Sequence, residues 1–173
     1  YSRPDRWNTL LKKILGIHSG PPTTDPIWKH LQSKQPFRTV VELQRELRRC
    51  KLENKHYPCI HIFARCFCSN YHVPRHNPLN ALRKLGAYFD FILRLFQRSN
   101  KQKKFFSYNW LLEQGMAFFN YVEYLPFVKK LKCTSRRAKY INQLLKLYET
   151  HAGSGGCVQS DNRLPNWRSR IHT

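Results

Sequence analysis

Acidic side chains are the scarcest charged groups in this sequence: ten Asp and Glu among 173 residues, against 31 Lys and Arg. The ten are scattered, whereas catalytic carboxylates must converge. Glu42 and Glu46 share a helix face at i,i+4, but Arg45 and Arg49 flank them, as in a solvated ion-pair lattice. A Gly-rich phosphate loop, a GxSxG elbow and an HExxH pair are all missing. Eight His and six Cys allow many Cys–His pairs, and the sequence prefers none of them. The expectation is a protein without enzymatic activity and without a cofactor.

Long hydrophobic runs are missing too. None approaches the ~18 apolar residues of a membrane span. Neither a lipidation motif nor a strongly amphipathic basic anchor is present, so a membrane partner is not expected. The six cysteines, Cys50, Cys59, Cys66, Cys68, Cys133 and Cys157, have no regular disulfide spacing. Reduced thiols and an intracellular setting are expected. The chain opens on Tyr1 rather than Met, which reads as a processed chain or a fragment, and no signal peptide is legible in it.

What is present is positive charge on a foldable chain. The formal net charge is +21. A disordered basic tail would lack aromatics, yet here 14% of residues are aromatic and 41% hydrophobic, spread along most of the chain. A chain of this length can bury a core without disulfides or metal. A folded domain that keeps so much like charge repels itself, and a polyanionic partner is the natural reason to carry it. Extra solubility would be better served by acids.

The apolar spacing predicts helices throughout and little strand, an all-α domain of six to seven helices. Trp7 to Ile17 reads as a short amphipathic helix, stopped by Gly16 to Gly20 and by Pro21 and Pro22. Asp25-Pro26 starts a second, through Trp28 and Leu31, and Thr39 with Glu42 fits a capping box ahead of a third. His56 to Cys68 reads as a buried helix beginning near Pro58. Asn77-Pro78 opens the clearest helix, with Leu79, Leu82, Leu85, Phe89, Ile92, Leu93 and Phe96 on its apolar face. Ser107 is expected to cap a buried helix, its loss costing ~1 kcal/mol. Tyr121 to Phe127 forms a short element ended by Pro126, and Ser135 starts a last helix with Ala138, Ile141, Leu144, Leu145 and Tyr148 inward. The expected division is one helical domain over 1–149 and a flexible polar tail over 150–173.

Two kinds of site suggest themselves. Cys66, Cys68, His72 and His76 place four zinc-type ligands within eleven residues. A Cys-x-Cys pair is tighter than a zinc knuckle uses, and on a helix its two side chains stand about 200° apart. No metal is expected there, the thiols serving as small core groups. The basic runs carry more weight. Lys101, Lys103 and Lys104 lie in one stretch without acids, and Lys129, Lys130, Lys132, Arg136, Arg137 and Lys139 in another. Each run sits at a loop or helix start, where backbone N–H groups also favour phosphate. Cations in the first turns of a helix oppose its dipole, so Arg136 and Arg137 are expected to serve binding and not stability. Most aromatics fall at helical spacing and read as core; Trp167, in the polar tail, is the one placed to stack on a base.

Three blocks resemble a known family. Lys103-Lys104-Phe105-Phe106-Ser107-Tyr108-Asn109-Trp110-Leu111-Leu112 is similar to the signature of the poxvirus and giant-virus late transcription factor 3-like proteins. Tyr124-Leu125-Pro126-Phe127-Val128-Lys129 resembles a turn that follows it in that family. Upstream, Thr39 to Arg49 with Leu52, Asn54, Lys55, His56-Tyr57-Pro58 and Ile60 is similar to the family's earlier helix and its sequel. Order and separation agree from about Trp7 to Glu149, while the His72–Asn77 loop and the tail have no counterpart. The resemblance implies a viral late gene transcription factor, binding nucleic acid with DNA favoured over RNA, and meeting viral RNA polymerase subunits. It implies a place in the viral factory of the host cytoplasm or in the host nucleus, and names no catalytic residue. A structural RNA-binding protein, such as a lineage-specific organellar ribosomal protein, would share the charge. So would a protein adaptor for acidic polymerase surfaces.

Overall fold

Helix N-termini leave backbone N–H groups without partners, and four helices here answer with a short polar side chain just ahead of the first turn. The computed structural model describes residues 2–17, 20–52, 56, 59–99 and 104–153, with the backbone alone for 151–153. Ser2 and Asp5 form a reciprocal capping box at the start of α1 (Arg3–Ile14). Asp25 accepts from the Ile27 N–H at 3.0 Å ahead of α2 (Ile27–Ser33). Thr39 accepts from the Glu42 N–H at the start of α3 (Val40–Arg49). The Glu42 carboxylate reaches past Thr39 to the Arg38 N–H, at 2.7 Å, so the expected box closes one residue early. Asn77 caps α5 (Pro78–Arg98) through the Leu79 and Asn80 N–H groups.

Three helices end alike. Gly16, Lys51 and Asn120 take left-handed backbone, with φ of 70°, 58° and 60°. Beyond each, an N–H bonds back five residues: Ile17 to Lys12, Leu52 to Leu47 and Tyr121 to Met116. The remaining elements are α4 (Ile60–Phe67), α6 (Tyr108–Phe118), a 3-10 helix (Val122–Phe127) and α7 (Thr134–Gly153). The fold is all-helical among the described residues, with Phe37 and Cys68 making one isolated β-bridge. None of its described helices is long and apolar enough to cross a membrane.

The core forms where α1 and α6 both pack on α5. Trp7 stacks on Phe89 with ring centroids 4.6 Å apart, and Tyr108 meets both rings edge-on. At Gly115 a Cβ would come within 2.9 Å of the Leu85 side chain and 3.0 Å of the Tyr88 ring, so glycine lets α6 approach α5 without displacing either. Most aromatic residues expected inside are inside: Phe89, Phe96, Phe106 and Trp110 are buried, Phe105, Tyr108 and Phe119 pack against the core, and Phe118 is partly buried beside Tyr88 and Phe119. The 3-10 helix is pinned from two sides. Gln44 of α3 donates to the Pro126 carbonyl at 3.0 Å, and the Tyr124 hydroxyl donates to the His76 carbonyl at 2.9 Å.

Several local expectations need correction. Ser107 stands at the N-cap position of α6, but its hydroxyl makes no capping bond. Replacing it therefore removes no cap. Pro126 lies inside the 3-10 helix, which ends one residue later. Leu79, in the first turn of α5, is 63% exposed while Ala81 is fully buried; Leu85, Phe89, Ile92 and Phe96 are buried as the spacing predicts. Ala138 is likewise exposed, and Leu144 and Leu147 carry the buried face of α7. That helix runs to Gly153, past the expected boundary at 149; the rest of the tail, with Trp167 and Cys157, lies outside the described residues.

One buried polar group joins three elements. His61 of α4 bonds the Ile14 carbonyl through Nε2, so that nitrogen carries the proton, and its ring stacks on Phe127 at 3.6 Å. Gly16 must be glycine beside it, since a Cβ there would fall 2.9 Å from the imidazole. Burial lowers the His61 pKa from 6.5 to about 4, against the Ile14 bond. Below 6.5 the unfolded chain takes up a proton that the folded chain refuses until about 4. Stability is therefore full above 6.5 and falls as the pH drops through that window, by about 3 kcal/mol from this group. Denaturation midpoints of wild type and His61→Gln should converge on acidification. Curves that stay parallel from 6.5 to 4 would contradict the assignment.

Candidate nucleic-acid interface

The segment that joins the 3-10 helix to α7 alternates by burial. Val128 is buried and Leu131 is partly buried against the core, which turns Lys129, Lys130 and Lys132 outward to solvent. The chain then enters α7 at Cys133, whose carbonyl accepts from the Arg137 N–H at 3.1 Å. Its exposed thiol is drawn below the usual cysteine range by the Ser135 hydroxyl and then by the Arg136 N–H. A helix start that favours a thiolate favours any small anion for the same reason.

Along α7 the exposed cations fall on one side. Arg136, Lys139 and Lys146 are exposed, and with Gln143 they recur every three or four residues. Gln143 donates to the carbonyl of Lys104 at 3.2 Å. Lys104 is thereby tied to the same helix, one turn from Lys139, although 35 residues of sequence separate the two. Lys104 is exposed, while Lys101 and Lys103 lie outside the described residues. The described stripe from Arg136 to Lys146 is about 15 Å long at 1.5 Å per residue.

Arg137 does not belong to it. Its guanidinium donates to Glu113 of α6 at 3.3 Å, and the other Glu113 oxygen is buried without a partner. The expectation that Arg136 and Arg137 act together in binding, at no cost to stability, fails for Arg137. That cation offsets a carboxylate only 15% exposed.

The four zinc-type residues predicted from spacing are not brought together. Cys66 points to solvent from α4, whereas Cys68 is buried at its end beside Phe37, where burial pushes its thiol up to about 11. His72 is exposed in the following loop. His76 bonds Glu123 through its ring and its backbone N–H. A cluster that the sequence did not single out does converge: His30 of α2 with Glu46 and Cys50 of α3. Glu46 and Cys50 are one helical turn apart, a legible spacing, but His30 meets them only through the fold. Arg49, with His30 assisting against partial burial, holds the Glu46 carboxyl down to about 2. Burial, then the Glu46 charge, raises the Cys50 thiol, the reverse of what activates a cysteine nucleophile.

No family model, curated protein or solved structure matches the chain.

The two neighbouring arginines should separate in a stability measurement. Arg137→Ala leaves Glu113 without its counter-charge and is expected to cost about 1 kcal/mol. Arg136→Ala, exposed in the first turn, should leave the denaturation midpoint unchanged or slightly higher. Equal losses from the two would refute the division between them.

Proposed function

We propose that this protein is a non-enzymatic nucleic-acid-binding factor that holds phosphate backbone on the face formed by Lys129, Lys130, Lys132, Arg136 and Lys139, with Lys104 beside them. The observation that carries the reading is the placing of Lys104 beside the cations of α7, tied by Gln143 to the Lys104 carbonyl. Long flexible cations around a helix start supply charge, and the backbone N–H groups supply direction. Gln143 is engaged by the Lys104 carbonyl and most cations on this face are lysines, which meet phosphate as point charges, so weak sequence preference is expected.

The resemblance extends the reading to late gene transcription in DNA viruses. Duplex DNA is then favoured over RNA, and viral RNA polymerase subunits are the protein partners. In that role the protein holds template DNA by its backbone while other components select the promoter.

Matched titrations of a short DNA duplex at one salt concentration test this. Replacing Lys129, Lys130 and Lys132 by Ala should weaken binding at least about tenfold, uniformly across sequences. Replacing Lys12 on α1 and Arg65 on α4, which are also exposed, should change it by less than about threefold. Equal losses would reject the location of the face. Absence of binding by the unaltered chain would reject the function.

A further inference from the structure

Away from the basic face, His30, Glu46 and Cys50 direct three different donor atoms at one another. The His30 Nε2 lies 2.8 Å from Glu46 Oε1 and 3.1 Å from Cys50 Sγ, and Sγ lies 3.6 Å from Oε1. The geometry points to a zinc site, with these three residues as ligands and solvent in the fourth position.

Zinc holds nitrogen and oxygen at about 2.0–2.1 Å and thiolate sulfur at about 2.3 Å, so the edges of its tetrahedron run about 3.3–3.6 Å. All three separations fall within about 0.5 Å of those edges, a change that small side-chain rotations supply. The backbone already provides the arrangement. Glu46 and Cys50 share a face of α3 at i,i+4, as pairs of ligands on metal-binding helices do. His30 comes from α2, so the ion would join two helices.

The donor set selects the metal. Calcium and magnesium take oxygen ligands, whereas a mixture of imidazole, carboxylate and thiolate suits zinc. Charge fits as well: one carboxylate and one thiolate balance a divalent cation, leaving a half-buried complex with no net charge to desolvate. Without the ion, the single Oε1 of Glu46 must serve His30, Arg49 and Cys50 together. Arg49 donates to it at 2.8 Å, but its side chain is 64% exposed and can move to the other carboxylate oxygen. A shallow groove of about 370 Å³, bordered by Lys34, Arg45 and Arg49, reaches the site at Glu46.

Cobalt titration of the chelator-treated full chain tests the proposal, since cobalt reports thiolate ligation and tetrahedral geometry by colour. One cobalt per chain should bind, with a thiolate-to-metal charge-transfer band that zinc bleaches. Cys50→Ser should abolish that band, and His30→Gln and Glu46→Gln should each weaken binding by at least about tenfold. Paired Cys66→Ser and Cys68→Ser should leave it intact. His30→Gln changes a side chain one-third exposed, so it reports on the site even if Cys50→Ser does not fold. A wild-type chain without the band overturns the site, as does a band that survives Cys50→Ser.

Discussion

A chain with a net charge of +21 folds only if its few carboxylates are placed where they hold the most together. Eight acids lie among the described residues, and six of them have structural work. Asp5, Asp25 and Glu42 satisfy N–H groups at helix starts. Glu46, Glu113 and Glu123 each tie separate elements, to His30, Arg137 and His76. Only Asp90 and Glu149 stand exposed on helix surfaces without such a part. The acids are thus drawn into caps and joints, and almost none is left outside to temper the positive surface. Cohesion comes instead from the aromatic core around Trp7, Phe89 and Trp110.

That distribution links stability to function. Glu113 takes Arg137 inward, while the neighbouring Arg136 and Lys139 remain outward without an acidic partner among the described residues. Because Leu131 packs against the core, the lysines on either side of it are thrown toward solvent. The same contacts that close the fold at α6 and α7 therefore produce a cationic face at the start of a helix. A polyanion arriving there would relieve self-repulsion that the free chain must bear.

Local chemistry made most elements legible before the fold was known. Asn77-Pro78, Thr39 and Asp25 announce helix starts because a capping bond spans only two or three residues. Packing orientation was less legible. Leu79 and Ala138 follow the apolar periodicity and yet face solvent, since how much of an apolar stripe finds a partner is set by elements far away in sequence. Ser107 has the right position for a cap without making its bond. For the candidate sites, proximity along the chain misled. Cys66, Cys68, His72 and His76 are neighbours in sequence and scatter in space, while His30 reaches Glu46 across sixteen residues. Arg137 read as one more free cation because its partner lies 24 residues upstream. The joining of Lys104 to α7 likewise rests on tertiary contacts, the Gln143 hydrogen bond and the packing of Phe106 on Tyr140.

The central claim is that this surface serves phosphate. Binding of that kind is driven by release of counterions from the duplex, so its dependence on salt counts the phosphates covered. The most direct measurement is the equilibrium affinity of the full chain for duplex DNA over a series of salt concentrations. If about five phosphates are neutralised, the logarithm of affinity should fall against the logarithm of salt with a slope near −4 to −5. A flat line would contradict the account.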